Sequence, residues 1–505
     1  MRRWRRQLIV VEGKRTGLPA PGPPPSLFVG NTPALSHAYY RTLYAHVGEP
    51  VSVFYVHATP FVVVNDSGAV RTVLSGSGGV FIKPRYFGYR SAAVRAAVDA
   101  DNALCSATAE DGSPVGGGGP ATRRVLLHLL DANLPLVCKA LEALLASFPL
   151  QPPAASDVPA TVVSAAVDAQ PRVTMAVVAL NLRLLFEVGT GLPGSNNPTA
   201  AAAAARIGVA GAEFARRMVN PARVITAPLA GLSYAAAVVG LVRLGRRLVS
   251  AVDDLPADHW VGAWVGAAAP VAKLGKVVGL LMASSQTVPT SVLWLLHLLD
   301  IHPAARARIA AEAASVLGGV AVQEPLSADK AAAAVAAAAA AKGPRWWHPD
   351  GVAALERLPY TEAVVKETLR LYPPFPLIAR VATTDTVLGG VAIPARTPVY
   401  VLPWLLHRNA AHYPNPHTFD PDRWLPAVGG ARVAGGAPSE WVYTPFGRGP
   451  RACAGAAVAL TELKVAALAA CVDWRYGVGW GEGKAPGVYP ALGVVPAGIQ
   501  VVRTH

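Results

Sequence analysis

Four cysteines occur in the chain, and one of them sits where it could do chemistry. Cys453 lies in the segment Phe446-Gly447-Arg448-Gly449-Pro450-Arg451-Ala452-Cys453-Ala454-Gly455. Three glycines around one cysteine specify a tight loop with little side-chain bulk. Glycine permits positive φ and lets a flat ligand approach the backbone closely. A periodic apolar run, Ala456 to Ala470, follows at once, so the pattern predicts that Cys453 stands just before a helix. Backbone N–H groups and the helix dipole at that end favour a thiolate. Arg451, two residues earlier, is placed to meet a negative group on the same ligand. The alternative is a buried structural cysteine in a glycine-rich turn. The six fixed positions of F-G-x-G-x-R-x-C-x-G all match. Such a match has a chance probability on the order of 10⁻⁸ per window at average residue usage, which removes that alternative.

Three further segments carry polar groups at meaningful spacing. In Lys366-Glu367-Thr368-Leu369-Arg370, the residues Glu367 and Arg370 stand at i,i+3 and share one helix face. Alone the pair is uninformative, because one or two such pairs occur by chance in a chain of this size. The following Leu371-Tyr372-Pro373-Pro374 ends the helix. Phe419-Asp420-Pro421-Asp422-Arg423-Trp424 comes between this helix and the cysteine loop. The third segment is the uncharged run from Val277 to Leu299, which holds Ser284, Ser285, Gln286, Thr287, Thr290, Ser291 and His297. That many polar groups is unfavourable on a lipid-facing helix. The run reads as a long buried helix of a soluble core, lining a cavity, with Pro289 removing one backbone hydrogen bond and kinking it.

Together these segments resemble the cytochrome P450 family. The decamer matches its cysteine-loop signature, and the other motifs occur upstream in the family's order. The resemblance implies haem b (iron protoporphyrin IX) with Cys453 as the axial thiolate, which pushes electron density onto the metal and favours O–O cleavage. It implies that Phe446, Gly447 and Gly455 shape the haem site. Arg451 and Arg380, the latter in Leu377-Ile378-Ala379-Arg380, would meet the propionates, and Leu377 and Ile378 would face substrate. Glu367, Arg370 and Arg423 would form a buried network behind the haem. That network is structural, and removing one member would strand a buried charge at about 3–5 kcal/mol.

Two places depart from the family pattern. On the long helix the usual sequence is A-G-x-D/E-T, where an acid and a threonine relay protons to the oxygen-binding face of the haem. Ala283, on the substrate side, and Thr287 match, but Ser284 stands where glycine is usual and Gln286 where an acid is usual. The resemblance gives Thr287, Gln286 and Ser284 catalytic positions. Gln286 cannot deliver a proton as a carboxylic acid would. The family's C helix reads W-x-x-x-R. Here Arg123 and Arg124 follow Gly116 to Pro120 without a tryptophan at that spacing, and Arg124 is the candidate for a propionate contact.

The elements that must position these residues follow from the rest of the chain. Its 505 residues can bury a large core, and the composition is 52% hydrophobic and 15% charged. Leu18 to Pro25 is a stiff, extended proline-rich hinge, and Val51 to Val56 and Phe61 to Val64 read as short strands. The expected fold is mainly α with a small β region, the haem lying between the long I helix and the cysteine loop. The expected organisation is a basic leader over residues 1–17 and one cytochrome P450 domain over 18–505, with an alanine-rich insertion at about 329–350. The net charge of +14 is spread along the chain rather than clustered with aromatics, which argues against nucleic acid as a partner. No C-x-x-C spacing occurs, so neither a disulfide framework nor a zinc site is expected, and a reducing compartment fits. Gln7 to Val11 is too short for a signal-peptide core or a membrane span.

The activity implied by the resemblance is insertion of one oxygen atom from O2 into a lipophilic substrate (sterol, fatty acid, terpenoid or carotenoid). Electrons would come from NADPH through NADPH-cytochrome P450 reductase or a ferredoxin, with the enzyme a monomer, associated with the endoplasmic reticulum membrane or located in a plastid. Two alternatives stand beside it. One is a haem-thiolate isomerase or lyase of lipid hydroperoxides needing no reductase, and the other is a non-catalytic haem-binding protein.

Overall fold

A computed structural model of the chain describes residues 8–11, 14–19, 43–56, 59–76, 79–82, 107–108, 114–115, 126–131, 133–148, 167–186, 246, 250, 253–254, 270–317, 352–426, 439–473, 475–480, 487–488, 496–497 and 499–504. The alanine-rich insertion, the apolar stretch from Val224 to Val242 and Arg124 lie outside them. Helices dominate, and the strands gather into small sheets.

Strands β1 (Leu8–Val11) and β2 (Lys14–Pro19) form an antiparallel pair, and Ile9 of β1 also stands opposite Val391. Sequence alone assigned residues 1–17 to a basic leader. The described residues of that span, Leu8–Val11 and Lys14–Pro19, are strands, and the β-branched run Ile9-Val10-Val11 suits that conformation. Next come β3 (Val51–Val56) and β4 (Thr59–Val64), paired in full register. Their period-2 alternation sends Val62 and Val64 into one buried cluster and Phe61 and Val63 into another on the opposite face. Phe54 stacks on Phe61 with ring centroids 5.5 Å apart. The sheet is completed by β5 (Phe81–Ile82) and two later strands described below. Two short pairs lie apart from it: β6 (Ala107–Thr108) with β7 (Pro114–Val115), and the late pair near the C-terminus.

Helix α1 (Ser67–Leu74) is capped by Asp66, whose carboxylate accepts from the Ala69 N–H at 2.9 Å. Helices α2 (Leu134–Ala146), α3 (Ala169–Phe186), preceded by β8 (Val167–Asp168), and α4 (Pro270–Ile301) then build the main core. Every residue of α4 from Val288 to Leu299 is buried. A helix enclosed on all sides must be apolar all round, which is why no amphipathic stripe marks this run. Leu293 and Leu296 of α4 pack with Val137 and Leu141 of α2 and with Val177 and Leu180 of α3 in one cluster. Burying each such side chain contributes about 1.5–3 kcal/mol.

Helix α5 (Pro303–Leu317) leads to the short α6 (Val352–Glu356) and to α7 (Pro359–Leu371). The start of α7 is capped from a distance. Glu312 of α5 accepts from the Tyr360 N–H at 2.6 Å, the Thr361 N–H at 2.8 Å and the Thr361 hydroxyl at 2.7 Å. Those donors have no partner within their own helix. The end of α7 is set by Tyr372 and the two prolines, and the Tyr372 ring stacks on Trp294 of α4 at 3.7 Å.

Strand β9 (Ile378–Ala382) follows, then the hairpin β10 (Thr386–Leu388) and β11 (Val391–Ile393), then β12 (Pro398–Val401). Strand order in the larger sheet is β3-β4-β12-β9-β5, with β12 parallel to β4 and the other pairs antiparallel. A short helix, α8 (Pro403–Leu406), and a 3-10 turn, Pro421–Trp424, precede the cysteine loop. Helix α9 (Ala456–Leu468) leaves that loop and continues into a π turn, Ala469–Asp473. The chain ends on β13 (Arg475–Trp480), the pair β14 (Gly487–Val488) and β15 (Pro496–Ala497), and β16 (Ile499–Thr504). No described helix is long and apolar enough to cross a membrane.

Candidate functional site

The cysteine loop is shaped by two glycines in the left-handed region, Gly447 at φ 67° and Gly449 at φ 74°. Gly449 is required by contact as well as by conformation. A Cβ there would collide with the Leu74 carbonyl oxygen, where the loop lies on the end of α1. Backbone bonds then close the turn. Gly447 N–H donates to the Thr444 carbonyl at 3.0 Å, and Cys453 N–H donates to the Phe446 carbonyl at 2.8 Å. Gly455 is the cap residue of α9, so Cys453 stands just outside the helix N-terminus, where unpaired N–H groups favour an anionic sulfur.

Cys453 is half-buried, whereas Cys138 and Cys471 are buried, and none of these three is in a disulfide. Burial pushes the Cys471 thiol up to about 12, so it is no nucleophile at neutral pH. Around Cys453 the surface is apolar and partly open. Phe446, Val458, Ala459 and Leu460 pack on the main core from one side and remain only partly buried. A Cβ built on Gly455 meets nothing within 4 Å. Arg380 of β9 is buried, with its Nη1 donating to the Ala379 carbonyl at 2.8 Å. Its strand lies against the loop, since Ile378 Cδ1 is 3.9 Å from where a Gly447 Cβ would stand. The donor set fits haem b: a sulfur ligand at a helix N-terminus, an open apolar rim for a flat macrocycle, and a buried guanidinium for its carboxylates.

Glu367, Arg370 and Arg423 come together as one network. Glu367 is fully buried and accepts five hydrogen bonds. They come from Arg370 Nε and Nη2 (both 2.8 Å), Asp420 N–H (2.9 Å), Arg423 Nε (3.1 Å) and Trp424 Nε1 (2.9 Å). The remaining Arg370 donors reach the carbonyls of His407 (2.7 Å), Pro416 (2.6 Å) and Thr418 (2.9 Å). A guanidinium with every face engaged this way staples α7 to the segment before the cysteine loop. Sequence reasoning found the three charged members. It gave no role to Trp424, Gly449 or His407. Gly449 and Trp424 stand inside the quoted motifs, but nothing in the sequence signals that His407 is fully buried.

On α4, Ala283 is exposed and Thr287, one turn later, is half-buried, so the two share a side that the described residues leave partly uncovered. The Thr287 hydroxyl donates to the Ala283 carbonyl at 2.8 Å, and Ser291 donates to the Thr287 carbonyl at 3.0 Å. In this arrangement Thr287 Oγ1 offers lone pairs, not a proton, to its open side. The helix runs through Pro289 without ending. Ser284 and Gln286 lie on the α4 backbone, but their side chains are outside the described residues. Leu377 and Ile378 are half-buried at the start of β9. Arg451 is half-buried at the end of the 3-10 turn Gly449–Arg451. Helices α4 and α9 pack directly on each other, so the helix that carries Thr287 lies against the helix that follows Cys453.

Comparison with known proteins agrees with this geometry. The family model "Cytochrome P450" matches residues 273–471. The chain is similar to cyclooctatin synthase of Streptomyces melanosporofaciens, at 35% identity over 40% of this chain and 36% of that protein. It is similar to cyclooctat-9-en-7-ol 5-monooxygenase of the same organism, at 33% identity over 40% of this chain and 37% of that protein. It is also similar to pentalenene oxygenase of Streptomyces avermitilis, at 30% identity over 40% and 37%. The match thus spans little more than a third of these relatives' own lengths. Among solved structures, the haem domain of a cytochrome P450DA mutant superposes with a TM-score of 0.64, at 18% identity, covering 96% of this chain and 97% of that one. That likeness shows the fold across nearly the whole chain.

Proposed function

We propose, from the premise that this chain belongs to the cytochrome P450 family, that it is a haem-thiolate monooxygenase acting on an apolar substrate. The observation that carries the reading is the setting of Cys453: half-buried, just before the N-terminus of α9, beside an open glycine face and a partly exposed apolar rim. Haem b, when bound there, supplies the redox chemistry of dioxygen activation. One oxygen atom enters a substrate C–H bond and the other leaves as water, with two electrons and two protons supplied from outside.

The protein's own groups then have assignable tasks. Cys453 holds the iron as a thiolate, aided by the N–H groups at the start of α9. Arg380 and Arg451 meet the propionates, a role shared by Arg124. Phe446, Gly447 and Gly455 leave a flat space against the loop. Thr287 Oγ1 accepts a hydrogen bond from a water in the cavity, and must exchange its bond to the Ala283 carbonyl before it donates. Gln286 orients water as a donor and acceptor but cannot supply a proton as an acid does. Ser284 supplies a further hydroxyl for the same task. Ala283, Leu377 and Ile378 face the substrate.

Electrons arrive from NADPH through a reductase or a ferredoxin whose acidic surface meets the basic face around Arg448 and Arg451. The relatives are named for pentalenene and for cyclooctat-9-en-7-ol, and a terpenoid is the substrate class we adopt from the lipophilic set. Gln286, in the place of an acid, favours one second reading: rearrangement of a lipid hydroperoxide with no electron donor. Turnover under isotopically labelled dioxygen separates the two. Monooxygenation requires NADPH and places one labelled atom in the product. Consumption of a hydroperoxide without NADPH, and with no label gained, supports the second reading and defeats the first.

A further inference from the structure

The segment that enters the cysteine loop is tied to the buried ionic network through one ring. His407, the C-cap residue of α8, is fully buried. Its carbonyl accepts from Arg370 Nη1 at 2.7 Å, and its Nδ1 lies 3.1 Å from the Arg370 carbonyl at the end of α7. On the other side of the ring, Nε2 lies 3.0 Å from the Thr444 N–H. These partners fix the tautomer. A carbonyl can only accept, so Nδ1 carries the proton, and a backbone N–H can only donate, so Nε2 is bare.

A continuous path of bonds follows. Arg370 holds His407, His407 holds Thr444, the Thr444 carbonyl accepts from Gly447, and the Phe446 carbonyl accepts from Cys453. Tyr443 stacks on the His407 ring with centroids 5.3 Å apart, and its hydroxyl donates to the Lys366 carbonyl at 3.0 Å. The ring is thus fixed in plane by bonds and out of plane by an aromatic neighbour.

We propose that His407 is a positioning residue, a neutral pin that sets the cysteine loop against the Glu367–Arg370–Arg423 network and so holds the Cys453 sulfur where iron binds. Burial, and then the Arg370 and Arg408 guanidiniums, push His407 down to about 3, so the pin stays neutral across the working pH range. The other titratable groups around it, Glu367, Tyr413 and Tyr443, are engaged with the same network. A protonated ring would aim Nε2–H at the Thr444 N–H and open the path.

The inference rests on the haem-thiolate reading, and its test separates the two. His407→Phe keeps the volume and the stacking on Tyr443 but removes both bonds. His407→Gln keeps a donor and an acceptor. The readout is the lifetime of the red-shifted Soret band of the reduced carbon monoxide complex, with circular dichroism as the control for folding. The expected result is a folded His407→Phe protein that loses the band about tenfold faster than the parent, a change of about 1.4 kcal/mol. His407→Gln is expected to recover most of the lifetime. A folded His407→Phe protein with the parent's lifetime overturns the proposal, as does a Gln variant no better than Phe. Should His407→Phe fail to fold, nuclear magnetic resonance of isotope-labelled histidine in the unmodified carbon monoxide complex decides. A neutral Nδ1–H ring that does not titrate where exposed histidines do supports the pin. An Nε2–H tautomer or an imidazolium contradicts it. A parent protein with no red-shifted band removes the haem-thiolate reading itself, whatever His407 does.

Discussion

Glu367 on α7 and Glu462 on α9 are both removed from solvent, at 0% and 1% exposure, on two helices that pack together. Glu367 accepts five hydrogen bonds, three of them from guanidinium groups. Among the described residues neither oxygen of Glu462 has a partner. The nearby charges on packed elements are engaged elsewhere: Lys464 donates to Glu362 at 2.6 Å, and Arg306 to the Ala470 carbonyl at 3.0 Å. Burial alone therefore acts on Glu462 and pushes its carboxyl up to about 8. The comparison teaches that burial does not settle what a carboxyl does. Its partners decide whether it is a charged staple or a neutral acid held in an apolar core.

Removing Glu367 is the severest way to break this contrast. Glu367→Ala leaves Arg370 buried and unpaired, and we expect a loss of about 3–5 kcal/mol in chemical denaturation, together with failure to retain haem. For Glu462 the contrast appears as a pH dependence of opposite origin. Its folded value lies above the unfolded value of 4.5, so the stabilisation is complete below 4.5 and is lost as pH rises through about 8. Between those limits the parent should lose about 1.4 kcal/mol of stability per pH unit from this group. The slope should vanish in Glu462→Gln, and an unchanged slope would show that Glu462 is already ionised.

Smaller effects test carboxylates that are paired but nearer the surface. Glu312→Ala uncaps α7 and should cost about 1–2 kcal/mol, read as a lower Tm, because two helix N–H groups and a hydroxyl lose their acceptor. Arg308 and Asp422 form a bidentate pair at 2.7 and 2.9 Å, yet their side chains are 48% and 54% exposed. Arg308→Ala should therefore cost no more than about 1 kcal/mol, and less at high salt.

The order of these effects reflects what could be read in advance. Glu367 and Arg370 were visible as an i,i+3 pair, and Cys453 by its glycines, because both signals are local in sequence. The long helix over Pro270–Ile301 was visible through its uncharged part, Val277 to Leu299. Glu462 and His407 were not visible, since one glutamate in an apolar helix and one histidine after a short helix have no local pattern. Their character comes from residues far away in the chain, such as Arg370 and Thr444 around His407. Glu312 is of the same kind, capping a helix 48 residues later. The strand at Leu8–Val11 was missed because four apolar residues next to an arginine-rich start give too short a pattern, and one of its two pairings, Ile9 with Val391, is remote in sequence.

The most direct test of the central claim is the absorption spectrum of the purified, reduced protein with and without carbon monoxide, alongside Cys453→Ala. The account predicts a strongly red-shifted Soret band in the parent, the mark of a thiolate opposite carbon monoxide, and its disappearance in the variant. A parent band at the position of a histidine- or water-ligated haem, no haem at all, or a red-shifted band that survives Cys453→Ala would contradict it.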